Sequence, residues 1–140
     1  MERNDEWRRR AAEILGADNL TVSLKSLTLY RDYLRKHLDT PCIMTGLEGF
    51  PWDEKYVFGF NDEAEYETLK KNHPSCTDVY ELKRFEDLID EDAGILVKVK
   101  RVEDNRRFIL DLAALKAHDT ASKNYMLLDD YSAWFVTCKG

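Results

Sequence analysis

The stretch VYELKRFEDLIDEDAGILVKVKRVEDNRRFILDL, Val79 to Leu112, decides the fold class. Its three β-rich runs, VYELKRF, GILVKVKRV and RRFILDL, are divided first by an acidic turn and then by Glu103, Asp104 and Asn105, a tight hairpin signal. Three strands joined by short connections predict an antiparallel meander. The first connection crowds Glu86, Asp87, Asp90, Glu91 and Asp92 into the seven positions ahead of the apolar run. Such a knot of carboxylates is either a site for a cation or a solvated turn, since loops are commonly polar and acidic.

On the N-terminal side, residues 3 to 15 are good helix formers with Trp7, Ala11, Ile14 and Leu15 on one face and Gly16 as the expected C-cap. A second helix is predicted over residues 22 to 38, where Leu24, Leu27, Tyr30, Leu34 and Leu38 recur at helical spacing before Pro41. The period then changes. Cys42 to Leu47 and Tyr56 to Phe60 read as two antiparallel strands around a loop holding Glu48, Gly49, Pro51, Trp52, Asp53 and Glu54. NDEAEYETLKKN has an N-cap candidate in Asn61, acids in its first turn and lysines in its last, which predicts a short exposed helix stopped by His73 and Pro74. Beyond the meander, ALKAHDTASKNYMLLDDY predicts a turn or short helix, and the alternation in SAWFVTC predicts a closing strand.

Helices followed by five or six short strands imply an α+β fold. The strands are expected to curl into a small, antiparallel, SH3-like sheet or barrel, because a short sheet must close or be covered to hide its edges. The chain of 140 residues shows no repeat, low-complexity tract or linker, so one domain, residues 1–140, is expected.

Composition narrows the function. With 21 Lys and Arg against 27 Asp and Glu the formal charge is −6, which disfavours general nucleic-acid binding and favours cations or a basic protein partner. Cys42, Cys76 and Cys138 are odd in number and widely spaced, so neither a disulfide framework nor a zinc knuckle is indicated, and a reducing, cytoplasmic setting is expected. No apolar run approaches the roughly 18 residues of a spanning helix.

Three segments carry a family resemblance: YRDYLRKHLDTPC (Tyr30 to Cys42), FILDLAALKA (Phe108 to Ala117) and LLDDYSAWF (Leu127 to Phe135). Together they resemble the cyanobacterial-type calcium-binding protein family, small acidic bacterial proteins with a tyrosine-rich helix and a Trp-containing C-terminal segment. The likeness covers about half of the chain, at its two ends. It departs from that pattern in the long middle, Thr45 to Asp92, and in the basic N-terminus with Arg8, Arg9 and Arg10. What the resemblance implies is a non-enzymatic calcium-binding protein that serves buffering or signalling.

A hard cation such as calcium requires six to eight oxygens. No EF-hand register fits: a loop starting at Asp87 ends on Lys98 and one starting at Asp90 ends on Arg101, where a bidentate glutamate belongs. Any site must therefore be assembled from separated segments. Asp90, Glu91 and Asp92 are the first expected ligands, with Asp129 and Asp130 of the resembling segment joining them. As alternatives, those two cap a turn or pair with a nearby lysine. Glu48, Asp53 and Glu54 either ligate or merely solvate, and Asp111 reads as a hydrogen-bonding turn residue.

Cys42, Cys76, His37, His73 and His118 lie in no recognised nucleophile setting, so no enzyme is expected. Trp52, Trp134, Tyr56, Tyr125 and Tyr131 either line a peptide groove or fill the core. A protein-interaction module without metal, using its acidic and aromatic surface, is the alternative to calcium binding.

Overall fold

A computed structural model describes residues 6–47, 50 and 63–139. The first helix, α1 (Glu6–Leu15), buries Trp7, Ala11 and Leu15, one residue per turn on one face. Gly16 then leaves the helix at φ +90°, and its N–H donates to the Ala12 carbonyl at 2.8 Å. A short 3₁₀ turn (Ala17–Asn19) leads to α2 (Leu24–His37), which starts on a reciprocal cap: the Ser23 hydroxyl accepts from the Ser26 N–H while the Ser26 hydroxyl accepts from the Ser23 N–H. Leu27, Tyr30 and Leu34 form its buried stripe. Leu24, expected on that stripe, is 54% exposed at the first position of the helix, while Ser26 and Leu27 of the same turn are fully buried.

Five strands make one sheet: β1 (Ile43–Gly46), β2 (Val79–Phe85), β3 (Leu96–Arg101), β4 (Arg107–Asp111) and β5 (Leu115–Ala117). Their order is β4-β3-β2-β1-β5 and every pairing is antiparallel. The meander forms as the sequence predicts. In its β3–β4 hairpin Asn105 takes φ +62°, and the Arg101 N–H donates to the Arg106 carbonyl at 2.7 Å. Of the strand pair predicted after α2, Cys42 to Leu47 supplies β1, whereas Tyr56 to Phe60 lies outside the described residues. The exposed helix is α3 (Glu63–Lys70); its expected cap, Asn61, lies outside the described residues.

Two expectations are corrected. The segment SAWFVTC is not a closing strand but the second half of α4 (Lys123–Cys138), which starts where the Ser122 hydroxyl accepts from the Tyr125 N–H. In consequence the sheet, among the described residues, stays open, with β4 and β5 as opposite edges rather than an SH3-like barrel. Closure is unnecessary because helices cover one face. Met44, Tyr80, Val97, Val99, Leu115 and Ala117 point into a core shared with Leu27, Tyr30 and Leu34 of α2 and Leu128, Tyr131 and Trp134 of α4. The turn or short helix expected over residues 114–131 is instead β5, a turn at residues 119–122 and the first half of α4; a 3₁₀ turn, Leu112–Ala114, precedes β5.

Side-chain hydrogen bonds lock the layers. The Trp134 indole N–H donates to the Leu20 carbonyl at 2.7 Å, tying α4 to the α1–α2 connection. Asn124 exchanges two bonds of 2.9 Å with the backbone of Asp39. Among the described residues no helix is long and apolar enough to cross a membrane.

Candidate functional site

After Phe85 the chain leaves β2 through the acidic stretch, which the structure divides in two. Its first part is clamped to α2: Arg31 donates to the backbone carbonyls of Asp87 at 2.8 Å and Glu86 at 3.4 Å. Its second part is a tight turn closed by a bridge between Asp90 and Gly94, where the Gly94 N–H meets the Asp90 carbonyl at 2.6 Å. The Asp90 carboxylate is an acceptor within its own turn, taking the Asp92 N–H at 2.8 Å and the Ala93 N–H at 3.0 Å on Oδ1. Those bonds, the one from Ala93 foremost, hold its carboxyl below the usual range, and the Lys139 ammonium adds to the effect.

Gly94 explains why the turn sits where it does. It has φ +86°, and a Cβ there would lie 2.6 Å from the Tyr131 hydroxyl and 2.8 Å from Phe135 Cε1, so the turn rests directly on α4. Lys139, just past that helix, donates from Nζ to the Asp92 carbonyl and lies 5.1 Å from the Phe135 ring centroid. Asp111, at the end of β4, completes the group. Its side chain caps no helix and makes no hydrogen-bonded turn, correcting the expectation for it. The residue is exposed, yet its carboxyl is pushed upward, chiefly by partial desolvation and then by the Asp90 carboxylate, with Lys139 opposing.

The structure therefore brings Asp90, Glu91 and Asp92 into one turn and adds Asp111 and Lys139, which the sequence reading did not select as site residues. Strand pairing carries the signal for Asp111, because Leu96 lies opposite it just after the turn. Asp130 is placed differently. It is 5% exposed, and its two oxygens are gripped by Arg10 of α1 at 2.5 and 3.0 Å, a partner 120 positions away in sequence and not the nearby lysine expected as the alternative. Asp129 is half-buried on the same helix. Glu48, Asp53 and Glu54 lie outside the described residues.

Do these groups fit calcium? The donor chemistry is right, since carboxylate and carbonyl oxygens are hard ligands. The arrangement is not a preformed cage. Among the described residues no group of three or more His, Cys, Asp or Glu side chains converges on one point. Asp90 Oδ1 is already committed to backbone N–H groups, and a lysine supplies the positive charge at the turn.

The thiol, imidazole and aromatic candidates are held by local packing. Cys42 is fully buried, and burial pushes its thiol up to about 11, which suppresses the thiolate. His37 stacks on Tyr33 with centroids 4.2 Å apart, and His73 Nδ1 lies 2.9 Å from the Leu69 carbonyl at the end of α3. Tyr131 and Trp134 are core residues around Tyr30, at 5.3 and 5.0 Å between ring centroids.

A second constellation escaped the sequence reading because cations are usually solvated. Arg101, 3% exposed, donates to Asp78 at 3.0 Å and to Asp104 at 3.0 and 2.8 Å. It also donates to the carbonyls of Lys70, Lys71 and His73 at 2.8 to 3.0 Å, so one guanidinium holds the end of α3 to the sheet. Hydrogen bonding to Asp104 and Asp78 raises its pKa despite desolvation, so it is permanently charged.

No protein-family model and no curated protein sequence matches the chain. A solved structure described as a calcium binding protein in the calcium-binding form is similar to it over 99% of this chain and 96% of the other, with a TM-score of 0.60 and 13% sequence identity. At that identity the likeness establishes a shared fold: helices packed on one antiparallel sheet over nearly the whole length of both chains.

Proposed function

We propose that this is a calcium-binding protein, non-enzymatic, of modest affinity, that serves buffering or signalling. The observation that carries the reading is the end-to-end fold likeness to a protein described in its calcium-binding form. The carboxylates of the Asp90–Asp92 turn support it, together with the neighbouring Asp111, whose carboxyl is raised first by desolvation and then by the Asp90 charge, a repulsion that a cation would relieve. Because three acids do not converge as the chain stands, binding requires the turn to rearrange and the Lys139 ammonium to give way. That cost makes the affinity modest, as does the exposure of Glu91 and Asp92.

Titration calorimetry with calcium and with magnesium at matched ionic strength tests the reading. Saturable calcium heat, larger than that for magnesium and removed by Asp90→Asn with Asp92→Asn, is expected, because a flexible many-oxygen site suits the larger ion. Absence of saturable heat, or equal heats for both ions, overturns it.

A further inference from the structure

The face of the sheet opposite the core helices carries, among the described residues, a charge opposite to that of the whole chain. Antiparallel register places Lys98 beside Ile109 and Arg84, and Lys100 beside Arg107 and Glu81; on β1 it places Ile43 beside Glu81, and Thr45 beside Lys116 of β5. Directly opposed residues share a face. This face alternates with the one bearing Val97, Val99 and Tyr80, so it points away from the helices. The register slip between Leu82 and Arg84 adds Lys83, whose Nζ lies 3.7 Å from the Glu81 carboxylate.

Part of this charge is neutralised internally. Glu81 engages Lys83 and Lys100 at 3.7 and 3.6 Å, and Glu86 engages Arg84 at 3.1 Å. Lys98, Arg107 and Lys116 make no ion pair among the described residues. In a protein of net charge −6, three uncompensated cations on one pleated surface are a local inversion of sign. Between them stand aliphatic groups: Ile109 is 53% exposed and Ile43 half-buried. No aromatic residue stands among the paired positions of this face.

We propose that this face docks an acidic segment of another protein, an extended chain with carboxylates at alternate positions and aliphatic residues beside them. Charge complementarity selects an anion, and the geometry selects its form. Cations on one strand face repeat at roughly 7 Å, the spacing of alternate side chains in an extended peptide. Ile109 and Ile43 give apolar contact that a phosphate backbone does not use. Single-stranded nucleic acid is disfavoured by the missing stacking platform and by the net negative charge. Asp111, opposite Leu96, shares this face at the end nearest the acidic turn, whereas the patch itself uses none of Asp90, Glu91 and Asp92.

The test is fluorescence anisotropy with a labelled peptide of about ten residues alternating Glu with Ile and Ser, against an oligothymidine of equal charge. Wild-type protein should bind the peptide saturably and more tightly than the oligonucleotide, with affinity falling as salt rises. Lys98→Glu with Arg107→Glu should weaken peptide binding about tenfold or more. Lys25→Glu with Lys36→Glu, an equal charge change on exposed positions of α2, should alter it by less than about threefold. Circular dichroism of both variants confirms that they are folded. No saturable peptide binding, equal loss in both variants, or tighter binding of the oligonucleotide overturns the proposal; the last outcome assigns the face to nucleic acid instead.

Discussion

The phenolic oxygen of Tyr131, in the middle of α4, accepts the backbone N–H of Ile95 at 2.9 Å. That bond satisfies a buried donor just before β3 and sets the height of the acidic turn above the helix. The same oxygen lies 2.6 Å from where a side chain on Gly94 would begin. Tyr131→Phe should therefore cost about 1–3 kcal/mol, the price of an orphaned buried N–H. Gly94→Ala should cost a further 1–3 kcal/mol or so, from its left-handed backbone and the clash. The double variant should be less damaged than the sum, because phenylalanine lacks the clashing oxygen. Urea midpoints of the four proteins measure this, and strict additivity would show that the two positions do not meet.

Arg101 ties the end of α3 to the sheet through three carbonyls and two carboxylates at once. Replacing it with Met should destabilise the fold by about 3–5 kcal/mol, as expected when one partner of a buried ionic network is removed. Hydrogen exchange should accelerate in Glu63–Lys70 well before it does in β2 or β3. Uniform acceleration would mean that Arg101 supports the core and not this attachment.

The Asp104 carboxyl, held by Arg101 first and by the Arg106 N–H, titrates at about 2 when folded. Its unfolded value is near ~3.9, so the folded value is depressed. The stabilisation is thus complete above about pH 4 and is lost as pH falls through the folded value. The melting-temperature gap between wild type and Asp104→Asn should be constant from neutral pH to about pH 5 and vanish on approach to pH 2. A gap that persisted at pH 2 would place the effect in packing.

How far the sequence reveals this fold depends on how one-sided each element is. In α2, Leu27, Tyr30 and Leu34 are buried while Lys25, Asp32 and Lys36 are exposed, so the helical period is visible. In α4, Leu127, Leu128, Asp130, Tyr131, Ser132, Trp134 and Phe135 are buried while the exposed side carries the apolar Met126 and Val136, so polarity does not mark the outer face, and in SAWFVTC a strand-like alternation is as apparent as a helical one. The barrel expectation failed with that helix, since a strand at the C-terminus would have supplied the closing edge. Of the site, the turn itself was legible from its run of carboxylates. Asp111, Arg10, Arg101 and Lys139 were not, because their partners lie between 3 and 120 positions away in sequence and follow from tertiary packing.

That contrast is measurable within α2. Leu34, fully buried, should lose about 2–5 kcal/mol on truncation to Ala. Leu24, at 54% exposure, should lose less than about 0.5 kcal/mol despite its place in the same apolar series. Denaturation midpoints distinguish the two, and comparable losses would contradict the position of the helix start.

The last prediction concerns Asp111 and Lys139. In the folded protein the Asp111 carboxyl is raised above its unfolded value by desolvation and by Asp90, so its ionisation opposes folding. By linkage, the metal-free protein gains stability as pH falls through that folded value, and loses it as pH rises through the same window. Asp111→Asn should accordingly melt higher than wild type at neutral pH, with the difference vanishing below about pH 4. Lys139→Gln should do the reverse in the absence of metal, since it removes the charge that offsets Asp90 and Asp111. Calcium should then raise the melting temperature of Lys139→Gln more than that of wild type, because the ion no longer displaces an ammonium group. Asp111→Asn should respond to calcium less than either. If Lys139→Gln and wild type respond identically to calcium while both bind it, the ion sits elsewhere, and the Asp90–Asp92 turn is a solvated turn steadied by its own lysine.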